Sequence, residues 1–229
     1  MTNILLSRGI LHHPHIFEHA KTYIKSTDKV VIIALSFFEE YLHSENDYHT
    51  YYGVGGEYYQ KMIDSFAPYG IKESQIEWVN FFKDNTVSAS IKIKNADIIY
   101  FPGGSPDQMM KRIISFGIKE LIESHQKLYI GSSAGAMIQM HEYHMSPDPD
   151  YPHFSYEQGL NLCKGFSIEV HYRRRKKQKS SLRKVFRAFR HPIYVIPDDG
   201  ALIVTDQHIL CIESAYQMYN KKGIIRRTR

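Results

Sequence analysis

Lys127-Leu128-Tyr129-Ile130-Gly131-Ser132-Ser133-Ala134-Gly135-Ala136-Met137-Ile138-Gln139-Met140 is the stretch that decides the fold. It begins as a short apolar run of strand length, passes through five small residues, and ends in residues that can open a helix. A strand that enters a helix through Gly-x-Ser-x-Gly must turn sharply, so its neighbours have to be small. The central residue, Ser133, is then lifted above the strand end.

The chain upstream alternates strand and helix signals. Residues 3–7, 29–35, 76–82 and 97–101 read as strands, and 29–35 (Lys-Val-Val-Ile-Ile-Ala-Leu) is apolar enough to be buried on both faces. Helices are expected over residues 17–25, 57–66, a short segment up to Asn95, and 107–124. This alternation predicts an α/β fold, a three-layer α-β-α arrangement around a mostly parallel sheet, with the site at the carboxyl ends of the strands. Beyond Phe166 the chain turns β-rich, with strands expected over 167–172, 192–196, 201–205 and 209–213 and a turn at Asp206-Gln207. No repeat or linker interrupts the 229 residues, so 1–229 read as one domain.

Composition narrows the function classes. Two cysteines make a disulfide framework improbable and favour a reducing compartment. No segment approaches the roughly 20 apolar residues of a membrane span, and the apolar run near the N-terminus is too short for a signal peptide. The expectation is a cytoplasmic protein with no membrane partner. The net charge of +5 is uneven: residues 172–190 hold ten Lys or Arg and no acid, and without them the chain has 19 basic and 24 acidic residues. A mildly acidic body with one basic segment argues against general nucleic-acid coating.

The chemistry centres on Ser133. Its hydroxyl is a candidate nucleophile, and the N–H of Ala134 points where the oxygen of a reacting carbonyl would sit. The turn Phe101-Pro102-Gly103-Gly104-Ser105 also follows a strand, and the Gly104 N–H can face the same oxygen. A serine nucleophile needs a base, and of thirteen histidines His171 closes a strand downstream of the serine. The histidines at 12, 13, 15 and 19 and the run His141-Glu142-Tyr143-His144 lack metal-ligand spacing, so no metal or cofactor is expected. For the orienting acid, Asp198 and Asp199 are rivals at one turn, while Asp148 and Asp150 read as loop-forming acids.

Four segments carry a resemblance. Asp97-Ile-Ile-Tyr-Phe-Pro-Gly-Gly-Ser-Pro-Asp-Gln-Met-Met110, Tyr129-Ile-Gly-Ser-Ser-Ala-Gly-Ala136, Gly165-Phe-Ser-Ile-Glu-Val-His-Tyr172 and Ile196-Pro-Asp-Asp-Gly-Ala-Leu-Ile-Val204 resemble the aspartyl dipeptidase (peptidase E) and cyanophycinase family of serine peptidases. The resemblance implies a sheet related to class I glutaminases and a Ser-His-acid triad acting on small peptides. It places the nucleophile on Ser133, the base on His171, the acid on Asp198 and the oxyanion donors on Gly104 and Ala134. Two departures stand out: Gly103-Gly104-Ser105-Pro106 replaces the usual Gly-Gly-Asn-Thr, and Asp198 stands where Glu is common.

Two segments remain. Over residues 179–190, Leu182, Val185, Phe186 and Phe189 recur at helical spacing, which predicts an amphipathic helix with its cations outward. Arg173, Arg174 and Arg175, just past His171, are candidates for binding a substrate carboxylate next to the cleaved bond, with Arg173 and Arg175 on one face if the strand continues. Residues 41–59 hold six tyrosines and three glycines, and read either as a mobile lid or as a surface loop. The tail from 221 to 229 is expected to fray. The same sequence also fits two other functions: an α/β-hydrolase-type esterase or amidase with Asp148 as its acid, and a non-catalytic polyanion-binding protein with the same fold.

Overall fold

The computed structural model describes residues 1–225. In chain order its elements are β1 (Thr2–Leu6), α1 (Pro14–Ala20), β2 (Val30–Ile33), α2 (Glu45–Tyr52), α3 (Glu57–Phe66), β3 (Ile76–Val79), α4 (Thr86–Asn95), β4 (Ile98–Phe101), α5 (Pro106–Ser115), α6 (Lys119–Ser124), β5 (Leu128–Ser132) and α7 (Ala134–Met137). There follow β6 (Glu142–Met145), β7 (Ser155–Gln158), β8 (Ser167–Val170), α8 (Lys176–Phe189), β9 (Ile193–Ile196), β10 (Ala201–Thr205), β11 (Ile209–Ile212), β12 (Tyr216–Asn220) and β13 (Gly223–Ile224).

Among the described residues the main sheet has seven strands in the order β11-β10-β1-β5-β4-β2-β3. The five from β1 to β3 run parallel, and the β10-β11 hairpin adds an antiparallel edge. The strands are apolar on both faces because both faces are covered. Leu5, Val31, Ile33 and Ile99 pack toward α4, α5 and α6, while Ile4, Leu6, Val30 and Ile32 pack toward α1, α2 and α3. Each fully buried Ile or Val contributes about 1.5–3 kcal/mol relative to exposure. Helix α4 starts where the Asn85 side chain accepts from the Val87 and Ser88 N–H groups. The single helix expected over 107–124 is two, broken at Gly117, whose φ is 66°.

Three segments differ from what the sequence predicts, and contacts between distant parts of the chain account for two of them. The tyrosine-rich segment is folded: Ser44 caps α2, and the Tyr48 hydroxyl donates toward the carbonyls of Ala34 and Val79, so Tyr48 and Tyr52 are core residues. The strand ending at His171 is not in the main sheet. It joins a second sheet, β13-β12-β9-β8, in which β8 and β9 run parallel through the α8 crossover. Residues 221–225 complete that sheet through the β12-β13 hairpin, and residues 226–229 of the tail lie outside the described residues.

The turn after β5 is tight enough to exclude any side chain at two positions. A Cβ on Gly131 would lie 2.1 Å from the Gly135 carbonyl oxygen, and a Cβ on Gly135 would lie 1.9 Å from the Phe101 carbonyl oxygen. Both obstacles are backbone, so neither can swing aside. Gly135→Ala is therefore expected to cost about 3 kcal/mol or more of unfolding free energy, measured by urea denaturation, because α7 and β4 must move apart.

Candidate active site

Ser133 sits at φ 51°, ψ −114°, between β5 and the four-residue helix α7. That conformation is disfavoured for a residue with a Cβ, and the surroundings hold it in place. The Ser133 N–H donates to the Leu6 carbonyl at the end of β1 (2.9 Å). Below the turn, buried Gln139 accepts from Asn3 Nδ2 (2.9 Å) and donates to the Gly135 carbonyl (3.1 Å). The helix expected after the turn lasts one turn only, and residues 138–141 bond instead to residues 159–163.

His171 follows β8 at φ 50°. Its N–H donates to the buried Ser7 Oγ (2.8 Å), and its carbonyl accepts from Gln178 Nε2 (2.9 Å). Thus held, the imidazole bridges two sheets. Its Nε2 is 2.8 Å from Ser133 Oγ and its Nδ1 is 2.8 Å from Asp198 Oδ1. Asp198 comes from the turn after β9, and its other oxygen accepts from Arg173 Nη2 (2.7 Å), Arg173 Nε (3.2 Å) and Arg8 Nη2 (3.1 Å). Burial pushes the Asp198 carboxyl upward, but the bonds from His171, Arg173 and Arg8 outweigh it and hold its pKa at about 2. The two other acids lie elsewhere. Asp199 bonds Ser214, and Asp148 accepts from the Tyr151 N–H at 2.7 Å.

The glycine turn after β4 closes over Ser133. A Cβ on Gly103 would stand 3.4 Å from the Ser133 Cβ. Gly104 has φ 136°, and a Cβ there would meet the Ser36 carbonyl oxygen at 2.2 Å. Ser36 clamps the turn by donating from Oγ to the Gly103 carbonyl (2.7 Å) and accepting from the Ser105 N–H (2.6 Å). Ser36 is itself fixed by the buried Arg112, which donates to the carbonyls of Leu35 and Phe37. Gly104 and Ala134 both line the cavity that holds Ser133. As the first residue of a helix, Ala134 has no intrahelical partner for its N–H.

That cavity measures about 750 Å³. One wall is residues 144–151, pinned by the Tyr151 hydroxyl to Ser105 Oγ (2.8 Å) and Asp107 (2.7 Å). Sequence reasoning missed the polar group in this wall. Buried Glu169 Oε2 accepts from Ser146 Oγ (2.8 Å) and lies 2.7 Å from His144 Nε2. No local signal marked it, because its partners His144 and Ser146 lie 25 and 23 residues away in the chain. Arg173, Arg175 and Lys177 also line the cavity.

The three arginines separate. Arg173 is committed to Asp198, so it is not available to a substrate carboxylate. Arg174, at φ 57°, lines a different cavity. Arg175 alone of the three faces the Ser133 cavity with no ion-pair partner among the described residues. Also among the described residues, no group of three or more His, Cys, Asp or Glu side chains is placed to hold a metal ion. No helix there is long and apolar enough to cross a membrane.

A hydroxyl, an imidazole and a carboxylate in one hydrogen-bonded chain can pass a proton out of the hydroxyl as it attacks an acyl carbon. Comparison with known proteins gives the fold's relatives and the family. The chain superposes on a peptidase E-like protein from Listeria monocytogenes EGD-e with a TM-score of 0.66 and 19% identity, covering 92% of this chain and 96% of that one. It superposes equally well on a peptidase from an acI-B1 actinobacterium, with a TM-score of 0.66, 16% identity, and 96% and 94% covered. A search of curated proteins gives no match. The sequence model of peptidase family S51 matches residues 49–212, which include Gly104, Ser133, His171 and Asp198, and the chain belongs to this family of serine peptidases.

Proposed function

We propose that the protein hydrolyses small peptides through Ser133, His171 and Asp198, with a preference for an acidic residue beside the cleaved bond. The unbroken run of 2.8 Å contacts from Ser133 Oγ through the imidazole to Asp198 carries this reading. Ser133 Oγ attacks the peptide carbonyl as its proton moves to His171 Nε2. Asp198 fixes the imidazole so that Nε2 faces the serine, and it stabilises the imidazolium that forms. The oxyanion takes hydrogen bonds from the Gly104 and Ala134 N–H groups. His171 then protonates the leaving amine, and water releases the acyl group by the same route in reverse.

The cavity supports small substrates. Its volume suits a peptide of a few residues. Its lining carries both signs, with Asp148, Asp150 and the buried Glu169 among the acids and Arg175 and Lys177 among the bases. A short peptide that carries an ammonium group and carboxylates matches that mixture. Arg175 is the residue assigned to the acidic side chain, because an unpaired carboxylate in a cavity poor in water costs several kcal/mol. Residues 1–229 act in this reading as one domain, since both sheets contribute to one site. The two-cysteine composition motivates a cytoplasmic location.

A dipeptide-library screen tests the function. Asp- or Glu-led dipeptides should be cleaved fastest, and Arg175→Gln should lower kcat/KM on them by about 10–100-fold while changing Ala-led dipeptides less than threefold. Equal wild-type rates on Asp-, Ala- and Leu-led dipeptides would remove the acidic preference.

A further inference from the structure

The basic segment builds a second cavity, of about 380 Å³, that shares no lining residue with the first. Three cations converge on it: Arg174 from the loop after β8, and Lys179 and Arg183 from α8. Lys179 and Arg183 lie one helical turn apart on the same face, so they repel each other. None of the three makes an ion pair among the described residues, and no carboxylate lines the cavity. Arg174 is in the left-handed region, φ 57°, which a residue with a Cβ seldom occupies. Through it Arg174 leaves the side of Arg173 and Arg175 and joins Lys179 and Arg183.

The remaining lining is apolar and aromatic: Tyr172, Tyr216, Met218, Tyr219 and Ile224. Tyr172 and Tyr216 meet edge to face, with ring centroids 6.3 Å apart at 75°. Tyr219 is backed by Phe186 in a stacked contact at 4.9 Å. Tyr172 and Tyr219 are buried and brace the wall from beneath, so its accessible part is Tyr216, Met218 and Ile224, an apolar surface of the kind that a ring packs against. A solvated helix face would need neither the convergence of cations nor this wall. The cations call for a compact group with more than one negative charge, and a phosphate monoester carries about −1.5 to −2 with oxygens matched to the guanidinium fork. The wall calls for a flat ring attached to it.

We infer that this cavity binds a phosphate monoester carried on a flat aromatic group, of which a nucleoside monophosphate is the simplest example. The inference is independent of the peptidase chemistry, since it uses none of the residues that line the Ser133 cavity.

Titration calorimetry of the whole protein with AMP, adenosine and inorganic phosphate tests it. AMP should bind saturably, one per chain, with a dissociation constant at least tenfold below those of adenosine and of phosphate. R174Q/R183Q should weaken AMP by at least tenfold, and K179Q alone should weaken it in the same direction by less. Arg175→Gln, which alters only the Ser133 cavity, should leave AMP binding unchanged. The circular dichroism and melting temperature of each variant exclude unfolding as the cause, and K179Q keeps the test alive if the double variant does not fold. The inference is overturned if wild type does not bind AMP, or if phosphate binds as tightly as AMP. Equal AMP affinity in wild type, R174Q/R183Q and K179Q, or a loss confined to Arg175→Gln, overturns it as well.

Discussion

Ser133→Ala should lower kcat/KM on the best dipeptide by about 10⁴-fold or more, which is about 5.5 kcal/mol of transition-state stabilisation. The size follows from what is removed. Without Oγ no acyl-enzyme can form, and only binding and the Gly104 and Ala134 N–H groups remain to assist direct attack by water. The fold should hardly register the change. Alanine keeps the Cβ at φ 51°, so it adds no new strain, and the N–H bond to the Leu6 carbonyl persists. His171 loses one partner, but its side chain is 39% exposed, so water can replace the hydroxyl. A melting temperature within a few degrees of wild type, together with the loss of turnover, is the expected pair of results. Retention of activity within tenfold would mean that another group attacks the carbonyl.

The parts of the fold that local sequence governs were legible. The strand at 128–132 ends in residues too small to be anything but a tight turn, and the apolar runs at 30–33 and 98–101 declare strands covered on both faces. The basic amphipathic helix and the turn at Asp206-Gln207 were equally local. What escaped depends on pairing at a distance. Nothing within residues 167–170 says which sheet they join; the α8 crossover and the partner strand β9 decide it. Tyr48 reads as a loop residue until the carbonyls of Ala34 and Val79 are brought beneath its hydroxyl.

The site divides in the same way. The position of Ser133 on a tight turn could be read from its own neighbours, and that of His171 from its strand end. Arg8 and Glu169 could not, because each acquires its partner across more than 20 residues of chain. The fate of the arginine triplet turned on one backbone angle. With Arg174 at φ 57°, neighbours that look interchangeable in sequence serve Asp198, a second cavity and the Ser133 cavity in turn.

Asp198→Asn should cost about 10³–10⁴-fold in kcat, whereas Asp148→Asn should cost less than about tenfold. The amide of asparagine can donate to Nδ1, which would leave the proton on Nε2, the atom that has to accept from Ser133. An aspartate admits only the productive tautomer. Asp148 has no such role, since its carboxylate accepts from the Tyr151 N–H in the cavity wall. The acid of an α/β-hydrolase would lie between serine and histidine in the chain, so a severe loss in Asp148→Asn alone would restore that mechanism. The pH dependence of stability gives a second readout. Asp198 titrates at about 2 in the folded protein, below the roughly 3.9 of an unfolded chain, so its contribution is complete above pH 4 and fades as the pH falls through 2. Asp198→Asn removes that contribution, leaving Arg8 and Arg173 without their shared counter-ion. The difference in unfolding free energy between wild type and Asp198→Asn should therefore be greatest above pH 4 and shrink steadily below it. A difference that stayed constant from pH 7 to pH 2 would mean that the carboxylate contributes no charge-dependent stability at this position.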